Sequence, residues 1–492
     1  MISENLSIVL VFILYLLVVM GVGMYFYRRN ETISDYVLGG RKLNSWVAAL
    51  SAQASDMSGW LLMGLPGVAY LSGMSEIWIG VGLAIGTYLN WKFVAERLRR
   101  YTEIAKDSIT IPVYLENRFR DQSKLLRIVS AFFIMLFFLL YTSSGLVAGG
   151  KLFNLVFGVD YTLAVTIGAL VIIGYTFLGG FLAVSWTDFI QGSLMFIAIF
   201  LIPIMGISQV GGIDATMNAW NSISPDYLNP FTNLDGESLG IMGLASALAW
   251  GLGYFGMPHI LVRFMAIKSA DKVPKARKIA TTWVVISLFM AVLVGMVGAV
   301  ALGAPLDDPE HVFMAMAQGL FPSLIAGLFL AGVLAAIMST ADSQLLVTAS
   351  AITEDIYALL NKNASQKELL WISRFAVIVV AAIAYYFAIV PGSSVMGLVS
   401  YAWAGFGGAF GPVILLSLYW KRMTRNGALA GLLSGGFMVI LWKNLSGGIF
   451  DLYEIVPAFL LASVMITVVS LMDKEPSLEI QEEFDRAVSE MK

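Results

Sequence analysis

The sequence contains no cysteine and two histidines, His259 and His311. That excludes a disulfide framework, a thiolate nucleophile and any zinc centre built from Cys and His. Charge is scarce as well. Asp, Glu, Lys and Arg make up 13% of the 492 residues, against roughly 25% in an ordinary soluble domain, so a fully hydrated surface cannot be assembled from them. The 30 basic residues nearly balance the 33 acidic ones, and no basic tract is interleaved with aromatics, which argues against nucleic acid as a partner. There is no HExxH string, and the nearest phosphate-loop string, GLVAGGKL from Gly145, lacks a Ser or Thr after Lys151. These absences argue against an enzyme and against an organic cofactor.

What the chain does have is apolar length, with 58% hydrophobic residues. A helix that crosses a bilayer needs about 20 mostly apolar residues, because lipid offers backbone N–H and C=O groups no partner. About thirteen stretches meet that requirement. They lie near 6–27, 45–71, 73–95, 125–150, 161–179, 183–208, 240–265, 279–302, 322–352, 370–390, 394–419, 427–446 and 452–472. The first is too long for a signal-peptide core and lacks a small-residue cleavage site, so it reads as a retained span. Basic residues collect on the cytoplasmic side of a membrane. Here they cluster at Arg28, Arg29, Arg41 and Lys42, then within 97–127, 263–278, 362–374 and 421–425, leaving Lys151 and Lys443 for the opposite face. The loop 209–240 carries Asp214, Asp226, Asp235 and Glu237 with no basic residue. These counts predict an N-terminus outside, a C-terminus inside and a solvated cytoplasmic tail over 473–492.

Two spans are interrupted. The second reads SAQASDMSGWLLMGLPG, which places Asp56 with Ser55, Ser58 and Gly59 at mid-depth. A carboxylate there costs about 2.5–3.5 kcal/mol on insertion scales and marks function more readily than packing. The seventh reads ALAWGLGYFGMPHI, weakened by Gly251, Gly253, Gly256 and Pro258, although glycine also serves close helix packing. Interrupted helices at matching positions in two halves are the pattern of an inverted-repeat transporter, in which freed carbonyls bind cation and half-helix N-termini bind an anionic group.

The ninth span adds hydroxyls. In LAAIMSTADSQLL, Ala336, Ser339 and Thr340 stand at i, i+3 and i+4, on one face of one turn. Sodium is a hard cation that prefers such oxygen ligands, and carbonyls of Ala54 and Met57 in the broken second span would complete its shell. The same hydroxyls can instead bond back to their own helix. Asp188 and Asp342 are further acids in apolar surroundings. With Ser339 and Ser343 they form either a second cation site or a proton relay, unless Asp188 is merely solvated at the interface.

The strings YVLGGRKL, ALSAQASDMSGWLLMGLPG, GGFLAVSWTD, WGLGYFGMPHILVRFMA, SAITEDIY, GLVSYAWAGFGGAFGPV and RMTRNGALAG closely resemble the sodium:solute symporter family, and the likeness runs from about residue 6 to 472. GLVSYAWAGFG is similar to the proline branch rather than the sugar or pantothenate ones. The resemblance implies an all-α integral membrane protein with a LeuT-type 5+5 inverted-repeat core. One repeat would span about 45–208 and the other about 240–419, with an extra helix before them (about 6–27) and two after (about 427–472). It implies multi-pass residence in the cell membrane, contact with lipid, sodium-coupled uptake of L-proline, and no obligate protein partner. The alternative cargo is another small zwitterion or a carboxylate, with sodium or protons as coupling ion. A channel is the remote alternative. The family pattern places sodium at Ala54, Met57, Ala336, Ser339 and Thr340, with Asp56 near the ion. It places substrate at Ser58, Gly59, Trp60, Tyr141, Trp250, Tyr254 and Pro258, and gives Arg41 a gating role. Met257 departs from the pattern, standing where glutamine is expected, and a thioether cannot donate a hydrogen bond.

Overall fold

A computed structural model describes residues 2–27, 32–390 and 394–489. Arg28 and Arg29, counted above among the basic connections, lie outside them. The described residues are helical, with two isolated β-bridges and no named strand. Fourteen helices carry the architecture: α1 (Ile2–Tyr27), α2 (Ser45–Gly59), α3 (Leu65–Ser72), α4 (Ile77–Leu89), α5 (Leu125–Phe157), α6 (Tyr161–Val210), α7 (Gly240–Leu248), α8 (Pro258–Ala266), α9 (Val273–Ala301), α10 (Ser323–Ser350), α11 (Gln366–Ala388), α12 (Val395–Tyr419), α13 (Arg425–Lys443) and α14 (Ile455–Met472).

Among the described residues, nine helices are long and apolar enough to cross a membrane, or ten if the bent pair α7 and α8 is one span. The thirteen stretches read from the sequence differ from that count for identifiable reasons. Residues 45–104 count as one run of 60 residues, although a straight helix of that length would reach about 90 Å, three times a bilayer core. The chain turns at Gly73 (φ 71°, ψ −143°), and α3 before the turn and α4 after it both pack against α9. Likewise α6 is one helix over 50 residues bent at Gly180 (φ 70°, ψ 177°). The remaining stretch, α13, is diluted by Gly427, Gly431, Gly435 and Gly436.

Local chemistry sets several helix starts. The Asn44 side chain accepts from the N–H groups of Trp46 and Val47 (3.0 Å each) and so starts α2, while Asp160, Ser394 and Thr424 cap α6, α12 and α13 in the same manner. The centre of the bundle is α10. It is buried on nearly every face, as a helix apolar all round must be, and it packs against α1, α2, α5, α6 and α11.

Two expectations change. The tail is not merely solvated: Leu478–Ser489 forms a helix that packs on the helix Ala95–Ile104, with Phe484 buried 6.2 Å from the Tyr101 ring and Glu483 bonded to Arg120 at 2.7 Å. Its apolar stripe has a partner, which a composition rich in Glu conceals. The acidic loop 209–240 is also built. It contains the helix Ile213–Ile223, whose Trp220 indole donates to the Met296 carbonyl at 2.7 Å.

Candidate functional site

Both interrupted spans are broken in the structure. Within α2, Ser58 leaves helical geometry (φ 50°, ψ −172°), a left-handed φ that a residue with a Cβ adopts only at a cost. The Ser58 hydroxyl then accepts from the Trp60 N–H at 3.0 Å, and the Met57 carbonyl accepts from the same group. In the other span the 3-10 stretch Ala249–Gly256 gives way to an extended Met257 (φ −82°, ψ 105°), after which Pro258 opens α8. The two halves meet at 47°. Gly251 serves close approach here, since a Cβ on it would lie 2.3 Å from the Gly82 carbonyl oxygen of α4.

Where α2 faces α10, oxygens converge. The Ser339 hydroxyl donates to the Ala54 carbonyl at 2.8 Å and reaches the Ala336 carbonyl at 3.2 Å, while Thr340 Oγ1 lies 3.4 Å from the Ala54 carbonyl. One carbonyl of the broken helix thus gathers two hydroxyls of α10, and all four residues are buried. Met57 is buried beside them, but its carbonyl is engaged by Trp60. Everything in the cluster is neutral oxygen, the ligand type a hard monovalent cation takes.

Next to this cluster, Asp56 ties the two broken spans together. Its carboxylate accepts from the Tyr254 hydroxyl at 2.6 Å, and its backbone carbonyl accepts from the Tyr141 hydroxyl at 3.1 Å. Asp56, Met57, Trp60, Leu83, Tyr141, Trp250, Tyr254, Val399 and Trp403 enclose a cavity of about 10 Å³, the room of about one water molecule measured to its centre. Trp60 and Trp250 stack at 5.3 Å, and Trp250 stacks in turn on Tyr453 at 5.4 Å. Above that stack lies a vestibule of about 450 Å³ between α7, the end of α13 and the segment 445–454 that leads into α14. Trp250 belongs to both spaces, so the three stacked rings are the partition between them.

The run from Gly240 to Ala266 passes from that vestibule to the other face of the protein, where Arg41 is anchored. Its guanidinium donates to the Met265 carbonyl (2.6 Å), Thr102 Oγ1 (3.2 Å), the Ser108 carbonyl (3.0 Å) and Asp107 Oδ1 (2.9 Å). Arg41 pins the start of α2, the end of α8 and the loop after Ala95–Ile104 to one another. On the vestibule face, Lys443 pairs with Glu454 at 3.3 Å, and Lys151 reaches both Asp308 and Glu310 at 2.6 Å. Burial opposes the charge on Asp308, but the Lys151 ammonium prevails and holds its carboxyl below the usual range.

The remaining acids fall into a different environment. Asp188 is fully buried, accepting from Ser51 Oγ at 2.7 Å and from Arg263 at 3.1 Å. Arg263, counted in the sequence among basic residues of a solvated connection, is itself 0% exposed. It also donates to Ser51 Oγ (3.1 Å), the His259 carbonyl (2.7 Å) and Ser343 Oγ. Asp342 sits alongside, accepting from Ser343 Oγ at 3.2 Å. Hydropathy could not reveal this, because one arginine near the end of an apolar run reads as an interfacial charge.

Of the substrate residues expected from the resemblance, Trp60, Tyr141, Trp250 and Tyr254 meet at the cavity. Ser58 supports the Trp60 backbone. Gly59 packs closely, since a Cβ there would lie 3.0 Å from that of Ala148. Pro258 lines a separate small cavity with Val262, Leu346 and Asp355, and Met257 is buried away from the ring-lined space. Leu83, Val399, Trp403 and Tyr453 were not singled out in the sequence. Trp403 has a signal, as the lone tryptophan in the small-residue stretch of α12. Its indole donates to the Trp250 carbonyl at 2.7 Å, and its ring meets Tyr254 edge-on at 5.1 Å.

The profile of the sodium:solute symporter family matches residues 36–435. The sodium/proline symporter of Salmonella typhimurium is 49% identical over 484 residues, covering 97% of this chain and 95% of that protein. The high-affinity proline transporter of Bacillus subtilis is 48% identical over 470 residues, covering 94% and 98%. Among solved structures, a sodium-coupled sialic acid symporter in a substrate-bound outward-open state superposes with a TM-score of 0.80 at 22% identity, over 96% of this chain and 99% of that one. This last likeness carries the LeuT-type fold expected above.

Proposed function

The chain belongs to the sodium:solute symporter family, and on that premise we propose that it carries L-proline into the cell with sodium, by alternating access, as a multi-pass protein of the cell membrane. The observation that supports this most directly is the convergence of Ser339 and Thr340 on the Ala54 carbonyl, in a helix broken at Ser58. The aromatic cavity lies against the same break. A sodium ion drawn to the cluster bridges α2 to α10 and orders the broken backbone beside Asp56. That backbone, with the Tyr141 and Tyr254 hydroxyls, then meets the charged groups of proline, while Trp60, Trp250 and Trp403 enclose its ring. Ordering by one ligand helps the other, and such coupling is reciprocal, typically about 1–3 kcal/mol.

In this reading thirteen spans run with the N-terminus outside and the C-terminus inside. The repeats occupy about 45–208 and 240–419, α1 precedes them, and α13 and α14 follow. The vestibule is then external, the ring stack is the outer gate, and the Arg41 latch seals the cytoplasmic end until release.

Purified protein in liposomes, with sodium, lithium and proton gradients imposed separately, tests the proposal. Labelled proline should accumulate only when an inward sodium gradient is imposed, and uptake should saturate with concentration. Equal accumulation with no sodium on either side would sink it, and a large single-channel current would replace it with a pore. Competition by a panel of small zwitterions and carboxylates checks the cargo.

A further inference from the structure

Beside the Arg41 latch three helices begin: α2 at Ser45, α9 at Val273, and the second half of α6 at its Gly180 bend. Between them lies an open groove of about 820 Å³, whose walls include Trp46, Trp186, Phe189, Lys268, Lys272 and Lys275. Among the described residues no acidic side chain lines it. All three lysines are exposed, and of them only Lys272 pairs with an acid, Asp271 at 3.0 Å. The backbone that carries them is fixed. The Lys268 N–H donates to the Leu43 carbonyl at 2.9 Å, and the Ser45 hydroxyl donates to the Lys272 carbonyl at 3.0 Å. The groove therefore holds an excess of positive charge on a rigid frame.

The opposite wall is aromatic. Trp46 is 52% exposed and Trp186 39%, both near the ends of apolar spans, where the amphipathic indole settles at the level of lipid headgroups. Trp186 meets the Phe189 ring edge-on at 6.3 Å. Beyond the groove the surface turns apolar along two helices. Ile190, Ile197 and Leu201 follow Trp186 on one face of α6, and Val285 and Phe289 follow Lys275 on α9, all of them exposed. Trp283 joins the two helices between these rows, its indole donating to the Gly192 carbonyl at 3.2 Å.

A soluble anion would engage the lysines and leave the apolar rows unused. A zwitterionic lipid would use the rows but bring its own cation to a groove already rich in positive charge. A phospholipid with net negative charge matches every part: phosphate to ammonium, glycerol to indole, acyl chains to the rows. We propose that the groove is a binding site for one anionic phospholipid, its phosphate against Lys268, Lys272 and Lys275 and its chains on the seam between α6 and α9. Bound there, the lipid ties the start of α2, the broken helix that carries Ala54 and Asp56, to the start of α9. The site follows from the membrane-spanning fold and is independent of which cargo and ion the chain carries.

The test uses the purified full-length protein in phosphatidylcholine nanodiscs, with dibrominated phosphatidylglycerol or dibrominated phosphatidylcholine titrated in. Bromine quenches only nearby indoles, so quenching at low mole fraction reports a lipid seated at Trp46 and Trp186. The glycerol lipid should half-saturate quenching at a mole fraction about tenfold lower than the choline lipid. Trp46→Phe combined with Trp186→Phe should remove that component. Lys268→Gln, Lys272→Gln and Lys275→Gln together should bring the two lipids within about twofold of each other, whereas Lys268→Arg, Lys272→Arg and Lys275→Arg together should preserve the difference. The same loss of charge at the exposed Lys362, Lys367 and Lys474 should leave it intact. Equal quenching by both lipids in the unaltered protein, or an equal loss of preference from the distant lysines, would overturn the inference. So would abolition of the signal by millimolar inorganic phosphate, which would assign the lysines to a soluble anion. Should the glutamine triple not fold, the arginine triple and the indole pair decide: an anionic component that survives without both indoles places the lipid elsewhere and overturns the inference as well.

Discussion

Two oxygen clusters lie a turn apart between α2 and α10, and they are built from opposite materials. Ala54, Ala336, Ser339 and Thr340 offer neutral carbonyls and hydroxyls, each able to exchange a partner at modest cost. Asp188, Ser51, Ser343 and Asp342 surround a guanidinium that cannot leave. A net hydrogen bond is worth about 0.5–1.5 kcal/mol, whereas stranding one member of a buried ion pair costs about 3–5 kcal/mol. The first cluster is therefore suited to reversible occupancy and the second to permanence. On the proposed reading a coupling site must release its ion on every cycle while the scaffold holding it must not change, and adjacent turns of the same helices would then divide the two tasks.

The sharpest way to break the comparison is to strand Arg263. Asp188→Leu should destabilise the protein by about 3–5 kcal/mol, read as a large fall in thermal unfolding temperature in detergent; unfolding within a degree of the parent would show that the pair is not structural. A smaller effect is expected beside the neutral cluster. Tyr254→Phe deletes the 2.6 Å bond to the Asp56 carboxylate, and bonds to charged groups are worth about 1.5–3 kcal/mol. Half-saturating proline should rise about 10- to 100-fold, with the thermal transition falling less than in Asp188→Leu, and unchanged apparent affinity would detach Asp56 from the cavity. The smallest change is expected from the hydroxyls. Ser339→Ala should raise the half-saturating sodium concentration roughly tenfold, and Thr340→Ala, with its longer 3.4 Å approach, somewhat less. Sodium dependence identical to the parent in both would withdraw the cluster from ion binding.

Particular residues show why some of this was legible. Asp56 stood out because a carboxylate inside an apolar run has no packing explanation. Ser339 and Thr340 stood out because helical periodicity places them on one face with Ala336. Pro258 did not line the ring-bounded cavity, because a break shared by two half-helices gives no clue to which half turns inward. Arg263 was misplaced for the opposite reason: position along a span suggests depth, but the acid that draws its head group inward lies 75 residues away in sequence. The docked tail follows the same logic, since Phe484 is apolar in isolation but finds Tyr101 and Arg118 only in the folded chain.

The sequence by itself determined that this chain lives in a bilayer, that two of its spans are interrupted, and which turn of α10 carries neutral oxygen. Those are properties of contiguous residues, set by the cost of an unpaired backbone in lipid and by the pitch of a helix. Tertiary structure alone decided which carbonyl those hydroxyls meet, which rings close the cavity, and that a guanidinium stands among the buried acids. Each of those depends on residues tens to hundreds of positions apart being brought within about 3 Å, the distance at which hydrogen bonds acquire their strength.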